Sequence, residues 1–505
     1  MSMHRYIAAV LISVSLAVAL AVPTGAAGRR TPRITLVYAT AETTTSALVA
    51  WNTNVATDSR LQYSTTYPIP ASAPTLYSAS QVTYHEFELT GLTPGTLYYY
   101  RVTSCAKREC ATATDSFETY PSCPDIVPPV TGTWQREVTP NVGEPAEFEQ
   151  ELRGIAAVSQ NDVWAVGWSR EPGGPLYVKR PLIEHFDGST WNIVPSPYPP
   201  SDTQTELHAV SATSANDAWA VGTTHDGMFP SRTLIQHWDG TQWTIVPSPN
   251  RGDQVNALLG VAALSATDVW AVGYWFGTGS EANIDTLILH WDGIGWSQVP
   301  SPNIAGVANQ LAGVTAISSS DIWAVGTAGG APLAMHWNGI AWTITPMRFR
   351  SGLSSENLLA VSGAASNDVW AVGLGRGFFS NRASGTIRHW DGTRWTDRVC
   401  RAFSSSNPPQ DYEGGGPDFY FTGVSAAATN DVWAVGASGS GPMIFHWDGF
   451  AWTTVTHPRA YPNTVTLSAV ATLQDGGAWS AGREFVQEGT SGVFHPPRTL
   501  VYRYP

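Results

Sequence analysis

Asp268-Val269-Trp270-Ala271-Val272-Gly273, followed by Leu287-Ile288-Leu289-His290-Trp291-Asp292-Gly293-Ile294-Gly295-Trp296, decides the fold. The first phrase recurs seven times from about residue 151, marked by Trp164, Trp219, Trp270, Trp323, Trp370, Trp433 and Trp479 at spacings of 46 to 63 residues. The second phrase follows in six copies and is clearest at 234–249 and 287–302, where it runs on into Val-Pro-Ser-Pro. Each unit holds four short strand-like runs, which in the second copy fall at 207–212, 218–223, 233–238 and 242–246. Four strands repeated at this length predict a β-propeller.

The seventh copy breaks off after Thr499-Leu500-Val501-Tyr502-Arg503-Tyr504 and Pro505, before any fourth strand. That strand stands instead ahead of the first copy, where Trp134, Pro140 and Asn141 repeat the spacing of Trp243, Pro249 and Asn250. An open ring leaves two unpaired strand edges, and borrowing this strand pairs both. The expected fold is therefore all-β, a seven-bladed propeller over 131–505 closed by the strand at 131–141.

Residues 32–120 read as a separate small β domain. Short alternating runs (34–37, 47–51, 61–64, 87–89, 97–102) lie between turn residues, as in an antiparallel sandwich. Leu92-Thr93-Pro94-Gly95-Thr96-Leu97-Tyr98-Tyr99-Tyr100-Arg101-Val102 resembles the entry to the sixth strand of fibronectin type III domains, and Trp51 sits where that family keeps a core tryptophan. The resemblance implies that Tyr98 is a corner tyrosine whose hydroxyl bonds backbone across the turn. Cys105 and Cys110 flank the next hairpin tip, where a disulfide fits an exported protein better than a metal site lacking a second ligand pair. Residues 121–130, rich in proline, read as the linker.

The first 27 residues read as an export signal: Arg5, an apolar run at 6–22, then Pro23-Thr24-Gly25-Ala26-Ala27. A retained membrane anchor is the other reading, although the run is short for a ~20-residue span. The mature chain is expected outside the cytosol, secreted or surface-associated, with no later span. Composition agrees: 505 residues carry 22 Trp, 47 Gly and 35 Pro but only 13% charged residues, which excludes a coiled coil and a polytopic membrane protein. The net charge of -13 excludes a partner recognised through its phosphates, so nucleic acid is not expected.

The repeat resembles exported bacterial propellers built on Asp-Val-Trp-Ala-Val-Gly and His-Trp-Asp-Gly-x-x-Trp, and more loosely the tectonin and Asp-box propellers. That likeness implies fold first; a tectonin likeness would further imply glycan binding. Residues present in every unit serve every unit. The paired tryptophans should pack between neighbouring sheets. Asp162, Asp217, Asp268, Asp321, Asp368 and Asp431 sit at a tight turn, as Asp239-Gly240 and its counterparts do at a second one, where a short carboxylate can bond backbone amides. Six histidines at one register (His185, His237, His290, His336, His389, His446) suggest metal or packing, and successive units hold them too far apart to converge, so packing is expected and no metal or other cofactor.

Function is expected where the units differ, in the second-to-third and fourth-to-first strand connections on one face. Those segments carry Trp168, Tyr177, Trp275, Phe276, Phe378, Phe379, Phe419 and Tyr420, which would either stack on a ligand or pack on one another to order the loops. No metal-binding helix motif, nucleophile elbow or phosphate loop is present, and no catalytic residue is assigned. Asp411, Glu413 and Asp418, or Glu484 and Glu488, would serve glycoside chemistry only if they faced each other across a pocket. Cys123 and Cys400 could bridge the linker to the ring. The leading reading is a secreted binding or adhesion protein for a glycan or an extracellular protein. The alternatives are an extracellular carbohydrate-active enzyme and a structural envelope component.

Overall fold

The computed structural model describes residues 31–41, 43–119, 133–142, 149–171, 178–227, 230–277, 284–349, 353–377, 380–398, 419–439, 441–457, 464–485, 487–488, 493–494 and 496–505. Among these residues every regular element is a strand. The chain divides into two compact units.

Strands β1 (Ile34–Ala41), β2 (Ala47–Ser64), β3 (Thr75–Leu89), β4 (Leu97–Ala106) and β5 (Glu109–Glu118) form a sheet in the order β1-β2-β4-β5, with β3 on β2. The runs expected at 47–51 and 61–64 are one 18-residue strand. Apolar patterning hid its middle because the buried positions there are polar. Thr53, Thr57 and Ser59 instead reach the buried His85 at 3.0, 3.3 and 2.7 Å, and burial holds that imidazole below its ordinary pKa. Trp51 stacks on His85 with centroids 4.9 Å apart and donates to Ser104 Oγ at 2.8 Å. Tyr98 Oη accepts the Thr93 N–H at 2.9 Å. Cys105 and Cys110 are joined by a disulfide across the β4–β5 hairpin.

The second unit takes in Ala39–Leu48, Glu88–Tyr98 and Phe117–Pro505, and its repeat region is preceded by β6 (Gln135–Glu137). Six four-stranded sheets of consecutive strands follow, the first two joined into one eight-stranded sheet by a single parallel pair, Gln204 with Lys179. The first holds β7–β10 (Gln150–Ser159, Asp162–Glu171, Val178–Phe186, Trp191–Ile193) and the second β11–β14 (Gln204–Ser214, Asp217–His225, Arg232–Trp238, Trp243–Ile245). The third holds β15–β18 (Val255–Ser265, Asp268–Phe276, Ile284–Trp291, Trp296–Gln298) and the fourth β19–β22 (Asn309–Ser318, Asp321–Ala328, Ala331–Trp337, Trp342–Ile344). The fifth holds β23–β26 (Leu353–Ala365, Asp368–Gly377, Ser380–Trp390, Trp395–Asp397) and the sixth β27–β30 (Phe419–Ala428, Asp431–Ser438, Gly441–Trp447, Trp452–Thr454). The last sheet is β31 (Thr464–Thr472), β32 (Ala478–Phe485) and β35 (Arg498–Tyr504), with β6 as its fourth strand. Between β32 and β35, the short β33 (Gln487–Glu488) and β34 (Val493–Phe494) pair with each other.

Each first strand packs on the first strand of the next sheet, and β31 packs on β7. This radial succession of four-stranded sheets is a β-propeller. The first strands approach closely because small residues face each other: a Cβ on Gly154 would lie 2.9 Å from Ala209 Cα, and one on Gly423 the same distance from Ala469 Cα. The glycine ending each Asp-Val-Trp-Ala-Val-Gly phrase has a steric cause as well. A Cβ there would stand 1.8–2.0 Å from a backbone oxygen of the preceding strand at Gly167, Gly222, Gly273, Gly326, Gly373, Gly436 and Gly482.

The tryptophans form the seams. Trp164 of the first sheet meets Trp238 and Trp243 of the second at 5.0 and 5.2 Å, the latter edge-on. Trp219 meets Trp291 and Trp296, Trp270 meets Trp337 and Trp342, Trp323 meets Trp390 and Trp395, and Trp370 meets Trp447 and Trp452 in the same way. At the last two seams Trp433 meets Tyr504 and Trp134, and Trp479 meets Phe186 and Trp191. Trp134 therefore occupies the fourth-strand tryptophan position of the last sheet. β6 pairs antiparallel with β35 through Glu137–Val501, Arg136–Tyr502 and Gln135–Arg503. Beyond β6, Asn141 Oδ1 accepts the Thr499 N–H at 3.3 Å, as Asn250 does for Thr233 (2.8 Å) and Asn303 for Thr286 (3.0 Å).

The repeated acids divide into two roles. Asp239 Oδ1 accepts the Thr241 hydroxyl at 2.6 Å and the Gln242 and Thr241 amides at 2.9 and 2.8 Å, which together keep its carboxyl low, at about 2. The turn acids ahead of the tryptophans differ from expectation: their carboxylates bond the repeat histidine across the strand pair. Nε2 of His185, His237, His290, His336, His389 and His446 lies 2.7–2.9 Å from Oδ1 of Asp162, Asp217, Asp268, Asp321, Asp368 and Asp431. Each ring also lies against its own sheet's marker tryptophan, at 4.0 to 4.5 Å. A histidine on the next strand, with a ring nitrogen in reach, competes with the local amides for that carboxylate.

Candidate functional site

Beyond the constant glycine the second strands stop resembling one another. The next residue is Trp168, Thr223, Tyr274, Thr327, Leu374, Ala437 and Arg483 in the seven sheets in turn. The first strands diverge at the facing end, where Glu151, Glu206, Ala257, Gln310, Asn357, Tyr420 and Thr466 occupy one register. These strand ends lie at the connections expected to carry function. Strands run further than the apolar pattern suggested, as in the second sheet, where β11 and β12 extend to Gln204 and His225.

Several aromatics assigned to loops consequently stand on strands. Trp168 (β8), Trp275 (β16) and Phe419 (β27) are buried, at 5%, 3% and 6% exposure, so they do not supply the exposed loop surface expected of them. Trp168 donates its indole N–H to Glu151 Oε2 at 3.1 Å and carries Lys179 Nζ 4.3 Å above its ring; Trp275 carries Arg251 at 4.6 Å. Phe419 packs with Phe421 between the fifth and sixth sheets. Phe276 and Tyr420 are half-buried on β16 and β27. Tyr177, Phe378 and Phe379 lie outside the described residues, as do Asp411, Glu413, Asp418, Cys123 and Cys400. Glu484, one of the acids considered for catalysis, is 1% exposed and paired with Arg136 at 2.5 Å, which ties β6 to β32.

A charged network links the first two sheets at these ends. Arg153 Nη1 donates to Glu206 Oε2 at 2.7 Å, Lys179 Nζ to Glu206 Oε1 at 2.5 Å, and Arg153 Nε to Glu151 Oε2 at 3.3 Å. Burial would raise the Glu206 carboxyl, but Arg153 and Lys179 outweigh it and hold it below the ordinary range. Arg153 Nη1 also lies 2.9 Å from His208 Nδ1. A guanidinium only donates, so Nδ1 accepts and the imidazole is neutral with its proton on Nε2. Burial, then Arg153, pushes that imidazole down to about 4.

Next to this network a pocket of about 510 Å³ opens between the second and third sheets. Gln204, Glu206, His208, Thr223 and His225 line it from β11 and β12; Val255, Ala257, Leu259 and Tyr274 line it from β15 and β16. Gly227 and Ser231, from the β12–β13 connection, complete the lining. Its volume falls within the ~300–1,000 Å³ of small-ligand sites. Sequence reading missed it because its residues are ordinary strand residues, recognisable only by aligning the units past the glycine.

The fold and these strand ends define the class of the second unit as a β-propeller with one divergent face. Among known families, residues 32–119 match the Purple acid Phosphatase, N-terminal domain. No curated protein matches the chain. Among solved structures, YCF48 bound to D1 peptide is similar at 15% identity and a TM-score of 0.44, over 76% of this chain and 99% of that one. The polysaccharide lyase Uly1 is similar at 11% identity and a TM-score of 0.39, over 73% of this chain and 91% of that one.

Proposed function

We propose that this chain is an exported binding protein: a signal segment at 1–27, a fibronectin type III-like spacer at 32–120, and a seven-bladed propeller closed by the strand at 131–141. The propeller holds a glycan or an extracellular protein on the face where its strand ends diverge. One observation carries this reading. All seven repeats keep the Trp and the closing Gly of the Asp-Val-Trp-Ala-Val-Gly phrase, and six keep its Asp, where packing requires them; one position later the residues diverge, and between the second and third repeats those divergent ends line a pocket. Packing alone gives no reason for that divergence to gather at one end of every sheet.

The test is retention of the full chain on a panel of immobilised glycans and extracellular proteins. Replacing the half-buried Phe276 and Tyr420 by Ala together is expected to lower retention at least tenfold while leaving the melting temperature within a few degrees. Retention indifferent to that pair and to shortening of the β16–β17 connection would remove the face from the reading.

A further inference from the structure

The pocket between the second and third sheets has walls of opposite character. The second sheet contributes hydrogen-bonding side chains: Gln204, Glu206 and His208 from β11, Thr223 and His225 from β12. The third contributes apolar surface from Val255, Ala257 and Leu259, with the ring of Tyr274 beside them. Cross-strand pairing fixes each wall, since Gln204 stands opposite His225, Glu206 opposite Thr223, and Ala257 opposite Tyr274.

The charges behind the polar wall are engaged with one another. The Glu206 carboxylate pairs with Arg153 at 2.7 Å and Lys179 at 2.5 Å, both from the first sheet, while Glu151 pairs with Arg153 and Arg483, and the Glu206 oxygens keep lone pairs able to accept from a hydroxyl. His208 is fixed as a neutral ring by its contact with Arg153. The Tyr274 phenol, raised by burial, is a neutral hydroxyl. An anionic ligand would enter next to a carboxylate whose two cationic partners are already engaged, and a cation would lose its hydration without gaining an unpaired acid.

We propose that this pocket is a subsite for one uncharged sugar residue. A pyranose has the matching asymmetry: a rim of hydroxyls that donate and accept, and a face of C–H groups that lies on apolar or aromatic surface. The hydroxyl rim meets Glu206, His208 and Gln204; the C–H face meets Tyr274 and Leu259. The inference rests on the binding function proposed above and narrows its ligand.

Isothermal titration of the full chain with uncharged tetrasaccharides (cellotetraose, mannotetraose, galactotetraose, chitotetraose) and with tetragalacturonate tests it. At least one uncharged sugar should bind at one site per chain, and Tyr274→Ala should weaken it tenfold or more. Because Tyr274 contributes to packing, His225→Ala serves as a second variant at the same pocket, expected to weaken binding severalfold with an unchanged melting temperature. Binding of tetragalacturonate alone overturns the uncharged-sugar assignment and leaves the binding function standing. Uncharged sugar that binds equally well to both variants overturns the location. If no saccharide binds while an extracellular protein is retained through Phe276 and Tyr420, the subsite falls and the wider reading survives; if nothing is retained, both fall.

Discussion

Replacing Trp134 by Ala should destabilise the second unit by about 3–5 kcal/mol, the range for emptying a buried large aromatic site. Trp134 is 1% exposed, edge-on to Trp433 at 5.2 Å and 5.7 Å from Tyr504. The distinctive part is where the damage appears. Every other fourth strand hangs from its own third strand by a short hairpin turn, so truncating Trp243 leaves β14 tethered beside β13. The closing segment is held to the last sheet by non-covalent contacts alone, among them three residues of β6 paired with β35, the Arg136–Glu484 ion pair to β32 and the bonds of Thr139 and Asn141 to Thr499. Without the indole, β6 should detach, exposing the edge of β35. Hydrogen exchange in 498–505 should then rise far more than in 232–246 of a matched Trp243→Ala protein. Equal exchange in the two variants would show that β6 does not hold the last sheet.

Replacing Glu184 by Gln should stabilise the protein, increasingly so as pH rises. Glu184 lies on β9 at 0% exposure, one residue before His185. Burial raises its carboxyl from 4.5 to about 8, which the Thr499 hydroxyl only partly opposes. That hydroxyl lies 3.0 Å from Thr139 Oγ1 and within 3.3 Å of the Pro140 carbonyl, so its single proton has other acceptors. The folded state therefore holds a proton that the unfolded chain releases above 4.5. Stability is full below pH 4.5 and is lost as pH climbs toward 8; the loss has a ceiling of roughly 5 kcal/mol at ~1.4 kcal/mol per unit. The second sheet shows what an amide does at this register: Gln236 accepts from Ser196 Oγ at 2.9 Å and donates to the Pro197 carbonyl at 2.9 Å. Thr139 and Pro140 stand in the corresponding places of the closing segment, so the amide introduced by Glu184→Gln would find both partners. Urea midpoints from pH 5 to 9 should fall for the wild type and much less for Glu184→Gln. Parallel curves would refute the assignment.

Much of this architecture was legible in the chain because it is written seven times. Repetition separated the tryptophans and glycines from chance, and the truncated seventh copy, with a displaced Trp-Pro-Asn series at the other end, pointed to the pairing of β6 with β35. The disulfide between Cys105 and Cys110 was legible from its spacing in a hairpin. The pocket was not. Trp168 and Trp275 look like loop aromatics because apolar patterning fades after the glycine, yet the strands continue there with cationic side chains stacked on the rings. His85 likewise sits among Thr53, Thr57 and Ser59, a polar interior that a search for apolar alternation passes over.

By itself the sequence determined the repeating unit, because strand periodicity and turn chemistry are local and each copy restates them. Only the tertiary structure decided why each phrase ends in glycine, which carboxylate meets which histidine, and that Glu206, His208 and Tyr274 share a cavity. The first two depend on distances between paired strands within a unit and the third on how neighbouring units pack, and no strand read by itself contains any of them.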